Sequence, residues 1–178
     1  MVAWHALHVR SCTEQLVASC LAMRETPILS YVAIRNRRSL HAVSTGGTSS
    51  KENLFPGYVF AFFDHDQQWL NVMEVRQVVR ILEPGLSERE MEAIRQLATA
   101  PVPVLQHTRY VSQGERIKVL YGPLQGLEGV VERPKGKCRL VISIESIGIS
   151  KVVEVDEAQV VAIAATAGST GTGLRLAA

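Results

Sequence analysis

Two prolines in three residues, Pro101 and Pro103, mark the change that most constrains this fold. Before them hydrophobic periods of two and of about 3.6 alternate; after them only short β-rich runs occur. A chain of 178 residues therefore divides into an α+β half and an all-β half, joined where two prolines favour an extended, semi-rigid spacer. The expected division is residues 1–99, a spacer over 100–113, a second module over 114–163 and a disordered tail over 164–178, the tail being almost entirely small and polar residues.

In the first half, Ala3 to Val9 alternates as a strand, with His5, Leu7 and Val9 on one face and Trp4, Ala6 and His8 on the other. Ser11 and Glu14 have capping-box spacing, and the helix that follows carries Leu16, Val17, Cys20 and Leu21 on one stripe until Pro27 stops it. Ile28 to Ile34 reads as a second strand, followed by Arg35, Arg37, Arg38 and a Gly/Ser/Thr run over Ser44 to Ser50 that reads as a mobile loop. Leu54 to Phe63 is almost wholly apolar and reads as a central strand, with Pro56 and Gly57 turning the chain near its start. Asp64 or Asp66 caps a short helix with Trp69, Leu70 and Met73 on its inner face, and Gln77 to Leu82 forms a further strand. Ser87 and Glu90 make a second capping box, ahead of a helix that turns Met91, Ile94, Leu97 and Ala98 inward. Helices on a small sheet leave one sheet face to be covered or used.

In the second half, Arg116 to Leu120, Leu127 to Val131, Arg139 to Ile144, Val152 to Val155 and Val160 to Ile163 make five short strands, the pattern of a small barrel. The barrel's polar turns advertise no apolar interface, so the two halves are expected to tumble semi-independently.

Charge excludes several functions. Nineteen Lys and Arg face seventeen Asp and Glu, a net charge of +2, without the basic excess of a protein that coats nucleic acid. Up to Ala98 the balance is ten against ten, and from Thr99 nine against seven. Aromatics concentrate in the first half, which leaves the second little means of stacking on single strands. Cys12, Cys20 and Cys138 form no zinc or disulfide framework, and with no apolar run long enough for a bilayer they point to the cytoplasm. His5, His8, His41, His65 and His107 lack ligand spacing and read as surface or half-buried. No nucleophile, base and orienter occur together. The expectation is a non-enzymatic monomer without cofactor or metal.

The run from Gly114 to Val131, GERIKVLYGPLQGLEGVV, places glycines at a tight turn (Gly122, Gly126) and inside a strand (Gly129). It resembles the KOW motif of SH3-like five-stranded barrels. The first half, with Trp4 in its first strand and Leu54-Phe-Pro-Gly-Tyr-Val-Phe60 after the polar loop, resembles the N-terminal domain of NusG-type transcription elongation and antitermination factors. The resemblance covers Trp4 to about Ile163, and the long loop and Arg139 to Glu145 look most like the UpxY-type paralogues, antiterminators dedicated to particular operons such as those for surface polysaccharides. It implies an NGN-like α/β sandwich followed by a KOW barrel, with RNA polymerase as partner. Trp4, Phe55, Pro56, Tyr58 and Phe60 would receive the polymerase clamp helices, so that pausing falls and terminators are read through. It further implies non-template DNA as a contact for Arg10, and basic Arg35, Arg37 and Arg38 have the charge for phosphate. At the KOW partner loop, Ile147, Gly148 and Ile149 stand where general NusG proteins carry Phe-Gly-Arg, which sets this chain apart from contacts with a ribosomal protein or termination factor. Two other readings are a housekeeping NusG-like factor and a ribosomal RNA-binding protein of the KOW type.

Overall fold

The computed structural model describes residues 1–37, 50–106, 116–132, 138–156 and 159–163. The alternating N-terminal run forms β1 (Val2–Val9), followed by α1 (Glu14–Ala22), β2 (Leu29–Tyr31), β3 (Ile34–Arg37), β4 (Ser50–Asn53), β5 (Tyr58–Asp64), α2 (His65–Met73), β6 (Val78–Ile81) and α3 (Glu88–Thr99). Four of these strands make an antiparallel sheet in the order β2-β5-β1-β6, which puts the most apolar strands, β5 and β1, in the middle. The alternation of β1 sorts its side chains as expected. Leu7 and Val9 join Val59, Ala61 and Phe63 of β5 in a core under α1, whereas Trp4 and Ala6 join Phe60 and α3 on the opposite face.

Several local expectations are corrected. Ser11 does not cap α1; its N-cap is Thr13, without a side-chain cap, and the Glu14 carboxylate instead accepts the Gly57 amide at 2.7 Å. That contact fixes the Pro56-Gly57 turn, where Gly57 adopts φ +83°, a region that only glycine occupies at little cost. Leu16 is exposed; Val17 and Leu21 carry the buried stripe of α1, with Cys20 half-buried against the same core. The expected strand over Ile28 to Ile34 breaks at Val32 and Ala33, and its second part pairs as a hairpin with β4, Arg35 opposite Glu52. Residues 38–49, with most of the expected loop, lie outside the described residues. Asp64 caps α2 as expected, its side chain accepting from the Asp66 amide, but Val72 is the residue α2 buries, while Trp69 and Leu70 face solvent. The Ser87–Glu90 capping box of α3 is complete in both directions.

Beyond Ala100 come β7 (Val104–Gln106), β8 (Arg116–Val119), β9 (Glu128–Glu132), β10 (Arg139–Ile144), a 3₁₀ turn over Glu145–Ile147, β11 (Ile149–Glu154) and β12 (Val160–Ala162). They form a six-stranded antiparallel sheet in the order β12-β8-β9-β10-β11-β7. The added strand is β7. Three residues read as spacer pair with β11, Leu105 opposite Val152, so ordered extended chain between the halves ends at Pro103.

The two halves are packed together, against the expectation of semi-independent modules. A single core runs from Trp4, Phe55, Phe60 and α3 into Val104, Ile117, Leu140, Ile142, Ile144 and Val153. Polar groups complete the seam: Glu90 of α3 accepts from the Ser146 amide at 3.0 Å and from its hydroxyl at 2.9 Å, Arg89 pairs with Glu128, and the Arg35 guanidinium donates to the Val102 carbonyl at 3.0 Å. The sequence hid this interface because its specific contacts come from side chains that read as a solvated helix face.

Candidate functional site

The face of the first sheet that carries Trp4 is set by β5 and β1. Cross-strand pairing places Phe62 beside Trp4, Phe60 beside Ala6 and Tyr58 beside His8, and Arg80 of β6 sits on the far side of His8. An aromatic row thus runs along β5, with Trp4 and Phe62 rings 5.3 Å apart and His8 and Tyr58 rings 5.6 Å apart. Its inner end is sealed. Phe55 and Phe60 are fully buried, edge to face at 5.7 Å, and Trp4 is 5% exposed with the Arg95 guanidinium 5.2 Å above its ring. Its outer end is accessible: Pro56 is exposed, Tyr58 is half-buried, and Arg10, Arg76 and Arg80 are exposed around it. Among the described residues none of these three arginines has an ion-pair partner, so the outer end combines aromatic surface with unneutralised positive charge.

Of the five residues expected to receive a helix, Phe55, Pro56 and Tyr58 lie at the turn into β5 and Phe60 packs on Phe55, whereas Trp4 sits opposite Phe62 towards the other end of the face, and Trp4, Phe55 and Phe60 are covered. Lys151 of β11 lies over the Phe55 ring, its Nζ 4.9 Å from the centroid. Of the basic candidates, Arg10 is exposed just beyond β1, its amide bonded to the Gln77 carbonyl at 2.9 Å, Arg35 is tied to the Val102 carbonyl, Arg37 belongs to β3, and Arg38 falls outside the described residues. The partner loop also differs from expectation. Gly148 takes a left-handed turn at φ +66°, but Ile147 and Ile149 are half-buried against the shared core instead of displaying apolar surface.

The seam holds residues that the sequence did not single out. A cleft of about 540 Å³ separates the start of α3 from β8–β10, with Arg89, Glu90, Arg116, Glu128, Ile142 and Ser146 in its walls. Burial pushes the Glu90 carboxyl up, but the hydrogen bonds from Ser146 and Ser87 outweigh it and hold it below the usual glutamate value. Glu90 thereby serves two ends at once, closing the α3 capping box and latching the second half. Its capping role was readable from Ser-x-x-Glu spacing, whereas its latch partner lies 56 residues away.

His5, expected at the surface or half-buried, is 6% exposed, and among the described residues neither ring nitrogen has a hydrogen-bond partner. It stacks between Phe63 at 4.7 Å and His65 at 5.6 Å, and His65 Nε2 contacts Glu83 at 3.1 Å. Burial first, and then His65, lower the His5 pKa below 6.5, with Glu83 opposing them. A neutral buried imidazole binds fewer protons than an unfolded one, so stability is fully kept above pH 6.5 and declines as pH falls through the lowered folded value. His5→Phe should flatten that acid limb of a urea-midpoint titration between pH 7 and 5; an unchanged limb would place the responsible group elsewhere.

Among the described residues no three His, Cys, Asp or Glu are grouped to hold a metal ion, and no helix is long and apolar enough to cross a membrane. None of the curated proteins matches. Among solved structures, one described as "Domain interaction in Thermotoga maritima NusG" aligns with a TM-score of 0.52 at 20% identity, covering 90% of this chain and 96% of that one. An MjSpt4:Spt5 complex aligns with a TM-score of 0.37 at 14% identity, covering 92% and 97%. The first of these is a likeness of fold. The family model described as "Transcription termination factor nusG" matches residues 2–98, more than half of the sequence, and with it the whole β2-β5-β1-β6 sheet and its three helices. The chain belongs to the NusG family of transcription factors.

Proposed function

We propose that this chain is an elongation and antitermination factor that grips the RNA polymerase clamp helices through Trp4, Phe55, Pro56, Tyr58 and Phe60, acting as a monomer in the cytoplasm. The observation that carries the reading is the aromatic row along the β5–β1 face, from Trp4 past Phe60 to Tyr58 beside the Phe55-Pro56 turn, within the family-matched segment. A helix tip inserted there buries aromatic surface, the kind of anchor that dominates protein interfaces. Residues 114–163 are read as a KOW SH3-like barrel, with 100–113 as the connection, of which 104–106 also lengthen the barrel's sheet. Exposed Arg10, with Arg80 and His8 alongside, is suited to non-template DNA phosphates at the rim of the dock. Ile147 and Ile149, half-buried at the seam, favour a specialised paralogue of UpxY type serving an operon such as one for polysaccharide synthesis, since neither offers an aromatic or a cation to the partners of a general factor.

In this arrangement Phe55 lies under Lys151 of the second half, so a clamp helix that engages it requires the seam to open. Tyr58 is the anchor to test first, because it is half-buried at the edge of the core whereas Trp4, Phe55 and Phe60 are buried within it. Truncating such an anchor costs about 2–4 kcal/mol, so Tyr58→Ala should weaken binding to the clamp helices by roughly 30-fold or more and abolish pause shortening in a purified transcription assay. Wild-type pausing behaviour by the folded variant would remove the dock from this face. Tight, steeply salt-dependent binding of ribosomal RNA by the second half would instead support the ribosomal reading.

A further inference from the structure

Lys151 occupies a position where a lysine gains little from its charge. It is 4% exposed on β11, its Nζ donates to Gln106 Oε1 of β7, and it faces the Phe55 ring of the other half. Among the described residues no carboxylate stands within ion-pair distance of it. The anion that attracts it is Glu52 of β4, whose cross-strand neighbour in the β3–β4 ladder is Arg35 and which makes no ion pair with Lys151 among the described residues. On its own sheet the cross-strand neighbour from β10 is Ile142, and the charged pair next along, Arg139 and Glu154, engage each other at 3.4 Å. One amide oxygen, one ring face and one carboxylate beyond ion-pair distance do not replace the water that an ammonium loses on burial.

We propose that Lys151 is the release element of the seam: its buried charge keeps the closed arrangement of the two halves openable, and losing that charge locks them together. The effect on closure stands by itself; its consequence for polymerase docking rests on the reading above. Desolvation brings the Lys151 pKa down from 10.5 to about 8, with Glu52 opposing the drop. An opened seam returns the group to water and to its ordinary value. The sign follows from proton binding. Below pH 8 the ammonium is charged in both arrangements and opposes closure in full, between 8 and 10.5 the closed form sheds its proton first and closure tightens, and above 10.5 the opposition is gone.

Opening can be read in the full chain from hydrogen exchange of the Ser146 amide, whose bond to Glu90 crosses the seam, corrected for intrinsic exchange and referenced to Leu140 in β10. A pKa difference of one unit corresponds to a tenfold difference in equilibrium, so Lys151→Met should reduce Ser146 opening roughly 10- to 100-fold at pH 7. Wild type should tighten roughly tenfold or more between pH 7 and 9.5, Lys151→Met should not respond, and Lys151→Arg should remain openable. Unchanged or increased opening in Lys151→Met, or a wild type indifferent to pH over this range, overturns the proposal. Should Lys151→Met fail to fold, Glu52→Gln provides the opposite test, since removing the attracting anion must raise opening; no rise overturns the proposal equally. Clamp-helix binding separates the two readings. If Ser146 opening falls in Lys151→Met while binding is untouched, the masked-dock reading fails and the release element stands.

Discussion

Replacing Gly129 with alanine should unfold the second half at a temperature about 10 °C below wild type. A Cβ at this position would lie 2.3 Å from the Val141 carbonyl oxygen and 2.8 Å from Leu140 Cδ1, and the first of these is backbone that no rotamer change can move. Relief requires β9 and β10 to separate where Val130 pairs with Val141 and Val131 with Leu140. Ordinary overpacking costs about 1–3 kcal/mol, and a contact this short against main chain belongs at or above the top of that range, about 3 kcal/mol. For a domain of this size each kcal/mol moves the midpoint by about 2–4 °C. Calorimetry on Gly129→Ala is the measurement, and a midpoint within about 2 °C of wild type would mean that β9 has room the geometry denies. Because the seam joins the halves through one core, the loss should also loosen Ser146 from Glu90, visible as faster exchange of the Ser146 amide.

How far the fold could be read from the residues depends on the range of the forces involved. The alternation of Trp4 to Val9, the apolar run from Tyr58 to Phe63 and the Ser87–Glu90 box are local signals, and each matches the element that forms there. Gly129 is a local signal too, since a glycine inside a strand announces a close approach before its neighbour is known. Long-range partners carry no such mark. Glu14 has the spacing of a capping residue for Ser11, but the Gly57 amide, 43 residues on, competes for the same carboxylate and wins because it is buried and otherwise unpaired. Val104 to Gln106 are three residues beside two prolines, too short for any period to declare a strand, and only pairing with β11 makes them one. At the candidate site, Trp4, Phe55, Pro56, Tyr58 and Phe60 were identifiable by type, but their accessibility was not. It is decided by Arg95 of α3 over Trp4 and by Lys151 of β11 over Phe55, contacts that no local pattern announces.

Phe55→Ala should have the largest single effect, and on two properties at once. The ring is fully buried at the point where the first sheet, the Pro56-Gly57 turn and β11 converge, in edge-to-face contact with Phe60 and under the Lys151 ammonium. Removing a buried phenylalanine costs about 3–5 kcal/mol, transfer and cavity terms together, which is about a third or more of the stability of a typical domain. The expected drop in thermal midpoint is again about 10 °C or more, and the seam should open more readily because its aromatic centre is gone. Opening alone would expose the rest of the dock and strengthen clamp binding. Loss of the anchor acts the other way and prevails, since an anchor of this kind is worth about 2–4 kcal/mol whereas unmasking can return no more than the closed form withheld. Glu90→Ala isolates the opposing effect: it cuts the latch to Ser146 and leaves every dock residue in place, at the modest cost of a capping-box partner. Measured side by side against the polymerase clamp helices, Phe55→Ala should bind more weakly than wild type and Glu90→Ala more tightly. If both bind more tightly, Phe55 acts only as a seal between the halves, and the gripping surface must be sought at the exposed end of the row, around Tyr58 and Arg10.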